Sequence, residues 1–83
     1  MFKNKSEEGY NNICGRNIKK VRKKKYPKMS QRMLAEKLQL FGLDVDKNAI
    51  QRIECGKRFV TDLELKAFSL VLGVSYEELL YEE

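Results

Sequence analysis

Apolar residues recur at helical spacing through most of this chain, and no segment alternates apolar and polar positions as a half-buried strand would. Ile18 and Val21 mark one such face, followed by Met33, Leu34 and Leu38. Ala49, Ile50 and Ile53 mark a third, Leu65, Phe68 and Leu72 a fourth, and Glu78-Leu79-Leu80 a short last one. The pattern predicts five helices around one core, an all-α domain with no internal repeat.

Start and stop signals agree with that division. A first helix is expected over 13–25, with Ile18 and Val21 inward and the single proline, Pro27, ending it. Ser30 suits the N-cap of a second helix whose Met33, Leu34 and Leu38 face the core, and Asp46 that of a third. Gly56 stands where a left-handed turn would close the third helix. Thr61-x-x-Glu64 and Ser75-x-x-Glu78 are capping-box patterns that open the fourth and fifth. Residues 1–12 carry no periodic apolar pattern and read as a mobile tail, leaving 13–83 as the folded domain.

The third helix has two chemically distinct sides. At about 100° per residue, Lys47, Asn48, Gln51 and Arg52 share one flank and Ala49, Ile50 and Ile53 the other. An ordinary surface helix turns such a polar flank only toward water. Asn and Gln can also pair with adenine in a DNA major groove, and Arg or Lys with guanine.

The flanking segments resemble the phage-repressor and Cro helix-turn-helix family, the Xre-type regulators. The resemblance starts at Gly15-Arg16-Asn17-Ile18 and Val21-Arg22, and continues at Ser30-Gln31 and Leu34-Ala35-Glu36-Lys37-Leu38. Ala49-Ile50-Gln51-Arg52-Ile53-Glu54 and Gly56-Lys57-Arg58 resemble the recognition helix and the turn after it. Leu65, Phe68, Leu72-Gly73-Val74-Ser75 and Glu78-Leu79-Leu80 resemble the last two helices. The likeness implies a compact five-helix, lambda-repressor-like domain.

One stretch departs from the family. Eleven residues separate Leu38 from Ile50, which is longer than the family's usual short turn. Within 39–45, Leu40, Phe41, Leu43 and Val45 are apolar. The second helix is therefore expected to continue toward Phe41, with Leu43 or Val45 tucked into the core. A changed angle of the recognition helix is a possible consequence.

Charge is distributed unevenly. Of the net +5, residues 1–28 contribute +8, residues 29–58 contribute +2 and residues 59–83 contribute −5. A polyanion would be attracted and oriented by such a dipole. Cys14 and Cys55 stand far apart and form no CxxC pair, and there is no histidine, so neither a metal site nor a cofactor is expected. No apolar run approaches the ~18 residues of a membrane span, and the first residues lack a signal-peptide core. A cytoplasmic protein with reduced thiols is the expectation.

The family resemblance assigns roles to individual residues. Lys47, Asn48, Ala49, Gln51 and Arg52 become candidates for base contacts, Ala49 through a thymine methyl, with Gln31 a further candidate at a base edge. Ser30 and Gln31 at a helix start, and Lys57 and Arg58 after the recognition helix, become phosphate contacts. Cys55 occupies a position where relatives often carry a polar side chain. Arg22 and Glu54 are implied to form a structural ion pair. Leu63, Leu70, Val71, Tyr76 and Tyr81 lie off the core stripe or near it, which suggests a homodimer through the last two helices.

These features imply a sequence-specific double-stranded DNA-binding regulator of transcription, a repressor from a bacterium or prophage. The alternative on the same fold is an antitoxin-like or adaptor protein, which would favour an apolar or acidic outward face on the third helix. Nonspecific binding through the basic N-terminal part is a further possibility. No catalytic constellation is present: there is no phosphate-binding glycine loop and no nucleophile beside a base, so an enzyme is not expected.

Overall fold

Five side-chain or glycine caps set the boundaries of the chain's helices. The computed structural model describes residues 9–82, which form α1 (Gly15–Lys25), α2 (Gln31–Gln39), α3 (Lys47–Glu54), α4 (Asp62–Leu72) and α5 (Tyr76–Leu80). No strand occurs among the described residues. Ser30 Oγ accepts from the Met33 N–H at 3.1 Å and Asp46 Oδ1 from the Ala49 N–H at 2.8 Å. Each satisfies a backbone donor that the first helical turn leaves open. Both capping boxes are formed, Thr61 with Glu64 and Ser75 with Glu78. α4 ends at Gly73 in the left-handed conformation, and α1 ends two residues before Pro27.

The core is assembled from one side of every helix. Ile18, Leu34, Leu38, Ile50, Ile53, Phe68, Leu72 and Leu79 are completely buried. α2 packs on α3, α1 backs α3, and α4 and α5 close the far side. Burying one such side chain fully contributes about 1.5–3 kcal/mol. α1 and α3 approach so closely that a Cβ on Gly15 would overlap the carbonyl oxygen of Ile53, so glycine alone fits there.

Contacts between distant segments fix the remaining geometry. Tyr26 Oη donates to the Leu72 carbonyl at 2.8 Å, and Lys25 Nζ reaches the Leu72 and Gly73 carbonyls at 3.3 and 3.2 Å. A cation at the C-terminus of α4 also complements its dipole. Asn17 Nδ2 donates to the Leu79 and Tyr81 carbonyls at 2.8 and 2.7 Å, fastening α5 to α1.

Four expectations are corrected. Met33 is 45% exposed, because Leu34, Ala35 and Leu38 supply the buried side of α2 and Met33 flanks it. α2 does not continue to Phe41. The N–H groups of Leu40, Phe41 and Gly42 each bond a carbonyl three residues back, and Gly42, at φ 81°, then reverses the chain. Leu40 and Phe41 remain exposed, whereas Val45 is buried and Leu43 packs partly on the core. Gln39 Nε2 donates to the Val45 carbonyl at 2.8 Å and draws the base of this connection together. Val71 is half-buried against the core rather than free for a partner. Finally, the chain is anchored before residue 13: Asn11 and Asn12 hydrogen-bond to the end of α3 and the turn after it. The rest of the expected mobile tail, 1–8, lies outside the described residues.

Candidate nucleic-acid interface

α3 is amphipathic in the structure as in the sequence. Ile50 and Ile53 are completely buried, while Lys47, Asn48, Gln51 and Arg52 are exposed. Among the described residues none of these four side chains has an intramolecular hydrogen bond or ion pair, so the whole polar flank is available to a ligand. Ala49 is half-buried and packs against the core, leaving only part of its methyl group outward.

The start of α2 lies beside this flank. Ser30, Gln31 and Arg32 line an open cleft together with Lys19, Arg22 and Lys23 of α1 and Lys47 of α3. The free N–H groups of a helix N-terminus thus share one concavity with several cations, which suits a phosphate. Lys19 and Lys23 are one helical turn apart on α1, and their spacing in the basic first helix was the signal available in the sequence. Arg32 pairs with Glu36 at 3.7 Å on an exposed surface, where such a contact contributes little.

Beneath the cleft, one carboxylate joins three helices. Glu54, at the end of α3, accepts from Arg22 Nε at 2.7 Å and Arg22 Nη2 at 2.9 Å, and from Gln31 Nε2 at 2.9 Å. Arg22 Nη1 donates to the Met29 carbonyl at 3.0 Å. The hydrogen bond to Glu54 holds the Arg22 guanidinium above its ordinary pKa against the opposing effect of burial. Arg22 is therefore a charged and satisfied floor of the cleft. Gln31 uses one amide hydrogen inward, and its half-exposed side chain keeps the remainder for the cleft.

The turn after α3 carries the other expected backbone contacts. Gly56, at φ 81°, is left-handed and lies against the Tyr10 ring. Lys57 is exposed, and its N–H donates to the Arg52 carbonyl at 2.8 Å. Arg58, expected beside Lys57 as a phosphate contact, is directed elsewhere. Its Nη1 and Nη2 grip Glu64 at 3.0 and 2.9 Å, and Nη1 also donates to the Phe59 carbonyl. Glu64 is the capping-box residue of α4, so Arg58 joins the turn after α3 to the next helix. Cys55 is exposed, with its Sγ 3.6 Å from the Arg52 carbonyl.

The Helix-turn-helix family model matches residues 18–79, most of the chain. This protein belongs to the Xre-type helix-turn-helix family. It is accordingly a DNA-binding helix-turn-helix domain, and the family is not one of enzymes. No curated protein and no solved structure matches the chain. Among the described residues of this helix-turn-helix protein, no helix is long and apolar enough to cross a membrane.

Proposed function

We propose that this helix-turn-helix protein recognises a specific double-stranded DNA site with α3 in the major groove and represses transcription from it. The observation that carries the reading is the Lys47, Asn48, Gln51 and Arg52 flank, unpartnered among the described residues, on a helix whose Ile50 and Ile53 are completely buried on the other side. These side chains are the donors and acceptors that discriminate base edges, and a helix anchored by Ile50 and Ile53 presents them rigidly. The cleft around Ser30, Gln31, Lys19 and Lys23 on one side, and Lys57 on the other, supplies phosphate contacts that fix register. An adaptor role is less well supported, because this flank is neither apolar nor acidic. Occupancy of a promoter suffices for repression, and such a regulator would work in the cytoplasm of a bacterium, on its own or prophage DNA.

Pairing of two copies follows from the same reading. Leu63, Leu70, Tyr76 and Tyr81 of α4, α5 and the residue after it are 69%, 58%, 48% and 65% exposed, an apolar surface suited to a two-fold contact. Two recognition helices would then reach successive major grooves, roughly 34 Å apart. Selection of bound duplexes from a random library tests the function directly. Recovery of a motif with two related half-sites is expected, and enrichment of no sequence would reject specific recognition.

A further inference from the structure

We propose that Tyr10, Asn11 and Asn12 form a strap that positions Lys57 for a DNA phosphate, an inference that rests on the DNA-binding reading above. The strap lies outside the matched residues 18–79. Two consecutive asparagines bond four carbonyls at the end of α3 and in the turn after it. The Asn11 N–H donates to the Gly56 carbonyl and Asn11 Nδ2 to the Lys57 carbonyl, both at 2.8 Å. Asn12 Nδ2 donates to the Ile53 carbonyl at 3.1 Å and the Arg58 carbonyl at 2.7 Å. Asn12 Oδ1 in turn accepts the Gly15 N–H at 2.7 Å, tying the strap to the start of α1.

The other side of the turn is held by α3 itself, through the Arg52 carbonyl, which accepts the Lys57 and Arg58 N–H groups. The backbone of Lys57 is therefore pinned from both sides while its side chain stays exposed. The Tyr10 ring covers Gly56, and the Arg16 guanidinium lies over that ring at 5.0 Å. A lysine on a free turn would lose conformational entropy on meeting a phosphate. A lysine on a turn fixed beforehand loses less, and binding is tighter by the difference.

Asn11→Ala isolates this effect. The Asn11 Nδ2 bond to the Lys57 carbonyl is exposed, so water can replace the donor after truncation. The buried Asn11 Oδ1, without a partner among the described residues, is removed with it, and the fold should lose little stability. The test compares the wild-type chain, Asn11→Ala, Lys57→Ala and the double variant. Binding to the selected duplex is titrated at several salt concentrations, and thermal unfolding is followed in parallel. Asn11→Ala is expected to weaken binding about fivefold, the equivalent of one ordinary hydrogen bond. Although it removes no charge, it should flatten the salt dependence toward that of Lys57→Ala, by up to about one phosphate contact. In the Lys57→Ala background it should have no further effect. A flattened slope for Lys57→Ala with a wild-type slope and affinity for Asn11→Ala would overturn the strap while leaving DNA binding intact. Wild-type slopes in both single variants would remove Lys57 from the interface, and the strap's role with it.

Discussion

Arg22 and Glu54 meet through two hydrogen bonds, 2.7 and 2.9 Å long, at the seam between α1 and the end of α3. Their side chains are only 11% and 2% exposed, so the pair joins α3 to α1 out of reach of most solvent. Removing either partner leaves the other charge buried. Arg22→Met and Glu54→Gln are each expected to cost about 3–5 kcal/mol, and the double variant to recover part of that loss. A urea-unfolding double-mutant cycle measures the coupling; strict additivity would show that the two residues act independently.

Glu64 gives the fold an acid-sensitive contact. Burial alone would raise its pKa, but the hydrogen bonds from Arg58 and Thr61 and the charge of Arg58 together hold it below the ordinary 4.5. Because the folded-state value is depressed, Glu64 contributes its full stability above 4.5 and loses it as pH falls through the lower folded value. Glu64→Gln should lower the thermal midpoint at neutral pH and make its decline on acidification shallower. Parallel acid limbs for variant and wild type would count against this linkage.

The two thiols should differ sharply in reactivity. Burial pushes Cys14 up to about 11, so it remains a protonated, inaccessible thiol, whereas Cys55 is exposed at the end of α3. Maleimide should label Cys55 in the native protein and Cys14 only after unfolding. Cognate duplex is expected to slow Cys55 labelling, since the residue sits two positions from Lys57. Mass mapping of labelled peptides reads both effects, and equal rates with and without duplex would place Cys55 away from bound DNA.

Base readers and backbone contacts should separate on salt and sequence. Arg52→Ala or Gln51→Ala is expected to cost about 1–3 kcal/mol on the preferred duplex and to relax preference at one position. Lys57→Ala should weaken binding to every sequence alike. Duplex titrations distinguish the two classes, and equal losses on selected and random DNA would exclude Arg52 as a reader.

Leu70→Glu places a charge in the middle of the proposed two-fold surface. The wild type is expected to pair at high concentration or on a duplex with two half-sites, and the variant to remain single under both conditions. Sedimentation equilibrium decides between them; a wild type that is monomeric throughout would remove the interface.

The sequence by itself determined where four of the helices begin and the two-sided chemistry of α3. Ser30 with Met33, Asp46 with Ala49, Thr61 with Glu64 and Ser75 with Glu78 are hydrogen bonds across three residues. Such bonds form wherever the local chain turns into a helix, so the residue types announce them. The opposed flanks of α3 are equally local, because helical periodicity alone sorts Lys47, Asn48, Gln51 and Arg52 from Ile50 and Ile53. The tertiary structure alone decided where competing partners were satisfied. Arg58 and Lys57 look alike in sequence, but only Arg58 lies within reach of Glu64 once the turn after α3 is folded. Asn11 and Asn12 read as tail residues because their partners are 41–46 positions away. Val45 is buried and Phe41 exposed because Gly42 reverses a chain that periodicity would have carried on as helix. Local hydrogen bonds are fixed by neighbours in the chain, whereas burial and long-range pairing depend on which surfaces meet after all five helices have docked.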